Sequence, residues 1–162
     1  MTNLQHSTPI LVTGATGYIA SWVIKNLLEQ GYTVHATVRD LNKKPSFAHL
    51  DKIAAKTTGT LKLFKANLLE ANSFDEAMQG CEIVLHMASP FVVNNFKDAV
   101  KDIIEPAILG TENVLNSVNK TESVKRVIVT SSIASTYGDA IDIQHTAKNE
   151  FDESHWNTTS SE

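Results

Sequence analysis

Two kinds of apolar run alternate along this chain. Short, β-branched blocks at Ile10–Thr13, Thr33–Val38, Leu61–Lys65, Ile83–Met87 and Arg126–Thr130 each predict a strand. The first is short and wholly apolar apart from Thr13, as a strand covered on both faces should be. Between the blocks, apolar residues recur at helical spacing. Gly17–Gln30 predicts a helix with Ile19, Val23 and Leu27 on its stripe, Ile24 and Leu28 beside them, and Gly31 as its stop. Ser46–Lys56 places Phe47, Leu50, Ile53 and Ala54 on one face. Ser73–Gln79 reads as a short helix with Ser73 as N-cap and Glu76 as its capping-box partner. Lys97–Val118 reads as one long helix, kinked near Glu105 by Pro106. After Tyr137 the pattern dissolves, and Asp139–Glu162 reads as a polar loop or tail.

Strands alternating with helices imply βαβ units and a parallel sheet. Right-handed crossovers then favour an α/β, Rossmann-type doubly wound sheet of order 3-2-1-4-5 with helices on both faces. On this reading residues 1–138 form a dinucleotide-binding domain. Residues 139–162 lead toward a catalytic helix and substrate-binding part that the chain does not contain.

Composition narrows the partners. The 162 residues carry 42% apolar and 20% charged side chains, ordinary for a globular domain. A net charge of -4 gives no basic excess for nucleic acid or an anionic membrane. Apolar runs are too short to span a bilayer, and the polar N-terminus lacks the apolar core of a signal peptide, so a cytoplasmic protein is expected. Cys81 is the single cysteine, which excludes an internal disulfide and a cysteine metal cluster; no metal site is expected.

The sharpest chemical signal is Thr13-Gly14-Ala15-Thr16-Gly17-Tyr18-Ile19-Ala20. Small residues at 14, 17 and 20 sit between a predicted strand and helix. Gly14 permits the turn out of the strand, Gly17 the close approach of backbone to a pyrophosphate, and Ala20 close packing of helix on sheet. The helix N-terminus then meets the anion with free N–H groups and its dipole. The residue following the second strand selects the dinucleotide, and here the chain reads Thr37-Val38-Arg39-Asp40. Arg39 offers a guanidinium fork to a ribose 2′-phosphate, and Lys43 and Lys44 follow closely, which favours NADP(H). Asp40 keeps NAD open as the alternative, because an acidic side chain there can hold a ribose 2′-hydroxyl.

A wider set of motifs adds to this. Thr13-Gly-Ala-Thr-Gly-Tyr-Ile-Ala20-Ser-Trp22, Gly31-Tyr-Thr-Val34, Ala36-Thr-Val-Arg-Asp40, Ser73-Phe-Asp-Glu-Ala77, His86-Met-Ala-Ser-Pro90, Pro106-Ala-Ile-Leu-Gly-Thr-Glu-Asn-Val-Leu115 and Val129-Thr-Ser-Ser132 resemble the extended short-chain dehydrogenases. The likeness is to the dihydroflavonol reductase-like, NADP-dependent aldehyde and ketone reductases and runs from about Ile10 to Trp156. It implies that Thr13, Gly14, Thr16, Gly17, Tyr18 and Ile19 line a pyrophosphate, and that Arg39 and Lys44 take the 2′-phosphate. It implies that Asn67 (usually Asp in the family) and Leu68 lie by the adenine, and that Met87, Ala88 and Ser89 follow the cofactor toward its nicotinamide. Ser132 matches the family's catalytic serine, which hydrogen-bonds a substrate carbonyl. His86 is expected to be a satisfied core histidine.

The family's proton donor is a tyrosine with a lysine four residues on, the lysine lowering the tyrosine's pKa. Here Tyr18 is followed by Trp22, Tyr32 by Ala36 and Tyr137 by Ile141. The leading expectation is therefore the cofactor-binding half of a reductase acting on a small carbonyl substrate, the 162 residues alone being inactive. The alternatives are a non-catalytic NADP-binding module, or a sugar-nucleotide epimerase or hydroxysteroid dehydrogenase of the same superfamily. A homodimer through the 97–118 helix is a further expectation.

Overall fold

The computed structural model describes residues 5–90 and 97–160. Residues 1–4 of the polar N-terminus and 161–162 of the expected tail lie outside the described residues. Five parallel strands form one sheet: β1 (Ile10–Val12), β2 (Thr33–Val38), β3 (Thr60–Lys65), β4 (Ile83–His86) and β5 (Arg126–Val129). Their order is β3-β2-β1-β4-β5, as the crossover rule predicts. β1 is the central strand, with Ile10 opposite Val34 on one side and Ile83 on the other. All three of its residues are buried, which is why its sequence carries no polar alternation.

Side chains alternate across the strands and build one core on each face. On one face Val12, Val34, Ala36 and Val38 meet Ile24 and Leu28 of α1 (Tyr18–Glu29), with Phe47 and Leu50 of the α2 region (Ala48–Ala54). On the other, Leu11, Ala66, Cys81 and Val84 meet Phe74, Ala77 and Met78 in and beside α3 (Asp75–Met78), and Val114 of α4 (Glu105–Lys120).

Two local predictions are corrected. Ser73 does not cap α3: Phe74 holds the N-cap position with no side-chain bond. Its hydroxyl instead donates to the Asn67 carbonyl (2.7 Å) and accepts from the Asn67 N–H (3.1 Å), a pairing that competes with the cap. The 97–118 stretch is not one kinked α-helix. Val100–Ile104 is π-helical, and α4 begins at Glu105 with Pro106 in its first turn. Pro106 has no N–H to give the carbonyl four residues back, so it fits a helix start better than an interior. α4 turns Gly110, Asn113, Val114 and Ser117 inward, while Ile108, Leu109 and Leu115 stay exposed, as does Ile104 before it.

Thr130–Glu162 is a second compact unit. The structure gives it more order than the predicted tail. Ile133–Ser135 and Ala140–His145 are 3-10 turns, the second closed by an Asp139–Asp142 capping box. Within the unit Tyr137 stacks on Phe151 at 4.4 Å between centroids, and the Asn157 N–H donates to the Ser135 carbonyl at 2.8 Å. No helix among the described residues is long and apolar enough to cross a membrane.

Candidate functional site

The connections from the sheet reverse direction between β1 and β4, and a ligand crevice is expected outside the carboxyl ends of strands at such a point. The chain leaves β1 through Gly14, whose φ is +69°. A Cβ there would lie 2.9 Å from the Ala88 Cα, so both the backbone angle and the close approach require glycine. The loop is anchored to β2 by Gly14 N–H to Thr37 Oγ1 (3.3 Å) and Ala15 N–H to the Thr37 carbonyl (3.0 Å). Gly17 is the N-cap of α1 and offers no side-chain acceptor, and the first turn carries no acidic residue. Its unpaired N–H groups and positive dipole end are therefore left for an anion.

Thr13 is fully buried beneath this loop. Its Oγ1 accepts the N–H groups of Met87 and Ala88, each at 3.0 Å. With both lone pairs used, its proton goes to His86 Nδ1 at 2.9 Å. His86 is thereby the neutral Nε2–H tautomer, and burial lowers its pKa in the same direction. It is a satisfied core histidine, and Thr13 has no side-chain group left for a ligand.

Around the loop lies a cleft of about 430 Å³. It brings together Gly14, Thr16, Gly17, Arg39, Asn67, Leu68, Met87, Ala88 and Ser89, nine of the residues singled out in the sequence. Phe74, Ala66 and Thr37 also line it; Thr37 and Phe74 fall within motifs quoted above but were given no role, and Ala66 falls within none. Thr16 and Arg39 also border a smaller hollow of about 370 Å³, shared with Asp40, Lys43 and Ser46. Asp40 Oδ1 accepts the Asn42 N–H at 2.9 Å, so the carboxylate closes its own turn. Arg39 is exposed and has no ion-pair partner among the described residues.

Other sequence candidates fall elsewhere. Lys44 starts a 3-10 turn, and Lys43 rather than Lys44 lines the hollow beside Arg39. Ile19 is exposed and lines none of these concavities. Tyr18 lines a separate surface depression between α1 and α2, with Trp22, Lys25, His49 and Ile53. Ser132 belongs to the 130–162 unit, where it is exposed and N-caps a 3-10 turn, its Oγ accepting the Ala134 N–H at 3.2 Å. No group of His, Cys, Asp and Glu among the described residues is arranged to hold a metal ion.

The model of the NAD dependent epimerase/dehydratase family matches residues 10–161. The chain is 55% identical over 126 residues to a cinnamoyl-CoA reductase of Medicago truncatula, covering 77% of this chain and 38% of that protein. It is 42% identical over 147 residues to a dihydroflavonol 4-reductase of Gerbera hybrida, covering 91% and 38%. Among solved structures, a yeast methylglyoxal/isovaleraldehyde reductase complexed with NADPH superposes with a TM-score of 0.72 at 27% identity, over 95% of this chain and 45% of that one. The chain thus spans about 38% of the length of these curated relatives. It belongs to the NAD dependent epimerase/dehydratase family, with its likeness to the cinnamoyl-CoA and dihydroflavonol reductases over their cofactor-binding region.

Proposed function

We propose that the cleft binds NADP(H) and that residues 1–138 are the cofactor-binding domain of a reductase acting on a small aldehyde or ketone. The observation that carries the cofactor choice is the hollow beside the cleft. Arg39 and Lys43 line it, while the Asp40 carboxylate is engaged by its own turn. A 2′-phosphate there would meet two cations, one with a planar fork. The pyrophosphate would lie against Gly14 and Gly17 and take the free N–H groups of Thr16, Tyr18 and Ile19, the adenosine would lie along Asn67 and Leu68, and the nicotinamide half would run past Met87, Ala88 and Ser89. Lys44 would add charge near the 2′-phosphate. When bound, the dinucleotide supplies a hydride to the carbonyl carbon.

Ser132 would act on the carbonyl oxygen. Its hydroxyl already accepts one N–H bond and keeps its own proton to donate, stabilising the developing alkoxide. The epimerase or hydroxysteroid dehydrogenase reading is disfavoured by Arg39, because such enzymes usually take NAD.

Titration calorimetry tests the cofactor assignment. The unmodified chain is expected to bind NADP(H) at least about tenfold more tightly than NAD(H), the worth of one charge-assisted contact. Arg39→Ala should remove that preference. Equal affinities in the unmodified chain would overturn it.

A further inference from the structure

The wall formed by Leu68 is not self-supporting. Past β3 the chain turns at Asn67, and that residue is satisfied locally. Its Oδ1 accepts the Leu69 N–H (3.2 Å), its Nδ2 donates to Glu70 Oε1 (2.9 Å), and its backbone pairs with the Ser73 hydroxyl. The Leu68 carbonyl instead accepts Asn113 Nδ2 from α4 at 2.7 Å, across 45 positions of sequence. Asn113 is only 6% exposed, so the bond is shielded from water and costly to lose. One turn earlier on the same face, Gly110 touches the Leu68 side chain. A Cβ at Gly110 would lie 3.0 Å from Leu68 Cβ and 3.4 Å from each of its Cδ atoms. α4 thus comes as near to Leu68 as a residue without a side chain permits.

We infer that Asn113 and Gly110 are positioning residues for the adenosine half of the dinucleotide: the one ties the Leu68 backbone and the other sets how far Leu68 stands into the cleft. This rests on the NADP(H) reading above. Neither residue lines the cleft, and neither lines the smaller hollow that holds Arg39 and Lys43. Their effect therefore falls on the base and ribose, common to NADP(H) and NAD(H), and not on 2′-phosphate discrimination. The pair also explains two residue choices within a helix. Glycine and asparagine are poor helix formers, and α4 carries both on its buried face.

Gly110→Ala and Asn113→Leu, in the full chain, test the inference by calorimetry with NADP(H), NAD(H) and adenosine 2′-phosphate. Gly110→Ala should weaken all three by roughly fivefold to tenfold and leave the NADP(H)/NAD(H) ratio unchanged. Alanine's better helix propensity offsets part of the crowding against Leu68, so this variant should lose no more than a few degrees of thermal midpoint and stay fully folded at the assay temperature. Weaker binding in a chain that remains fully folded is the signature a purely structural role cannot produce. Asn113→Leu should weaken binding similarly if it folds; should it not, Gly110→Ala carries the test. If the unmodified chain binds dinucleotide and Gly110→Ala binds it equally well, the positioning role is overturned while the cofactor reading stands. If the unmodified chain binds neither dinucleotide, both fall.

Discussion

Thr13 shows how one buried hydroxyl joins the ends of two neighbouring parallel strands. It holds the backbone after β4 with two acceptor sites and fixes the tautomer of His86 with its proton. His35 is a second buried histidine, its Nδ1 donating to the Ala77 carbonyl at 2.8 Å. Burial lowers its pKa; the hydrogen bond to Ala77 works against that, and Lys62 adds to it. Both histidines thus protonate less readily in the folded chain than at the ordinary value of 6.5. Above that value they are neutral folded and unfolded, and their contribution is complete. Below it the unfolded chain binds more protons, so stability must fall as pH falls. The urea midpoint is expected to drop between about pH 7.5 and about pH 5.5, above the range where carboxylates dominate. A flat midpoint over that window would contradict two neutral buried histidines. Gly14 and Gly17 were legible in the sequence because a turn demands them locally. The Thr13–His86 pair was not, because 73 residues separate its members and only the β1–β4 register makes them neighbours.

At the level of elements, the strands were the easiest to read. β1 is buried throughout, β2 after its first residue and β4 at alternate positions, so short runs rich in β-branched residues mark them. Helix ends were harder, since Ser73 and Pro106 each have a local role and a tertiary alternative, and packing decided between them. α4 inverts the usual pattern. Its inward face is small and polar apart from Val114, and Ile104, Ile108 and Leu115 form a stripe with Ile108 54% exposed. β5 adds an outer edge with half-exposed Ile128 and Val129. An apolar stripe and an open strand edge favour pairing with another copy. We therefore expect the chain to self-associate at micromolar concentrations, and Ile108→Glu to reduce this. Sedimentation velocity showing a clean monomer over that range would remove the case for a dimer through α4.

For the molecule as a whole, sheet order followed from crossover handedness, and most of the cleft from motifs at strand ends. The supports behind the cleft did not, because Gly110 and Asn113 look unremarkable in a helix until Leu68 is brought against them. The two cores, one on each face of the sheet, also carry a consequence for how the chain acquires its structure in time. The first is built from residues 12–50, with neighbours at 53–63 and only Leu85 and Met87 added from further along the chain, and closes mainly through near contacts in sequence. The second needs β4 to find β1 across some seventy residues and then needs Val114 to arrive from α4. Loop closure makes the second assembly the slower one. Cys81 sits inside it, its thiol buried and its pKa pushed up to about 12 by burial, so in the folded chain it is nearly inert. During refolding it becomes a clock for that late event. The amides of β2, paired to β3, are expected to gain exchange protection before a pulse of alkylating reagent ceases to label Cys81. Simultaneous protection would mean that both faces form in one step, with β1 serving as a shared nucleus.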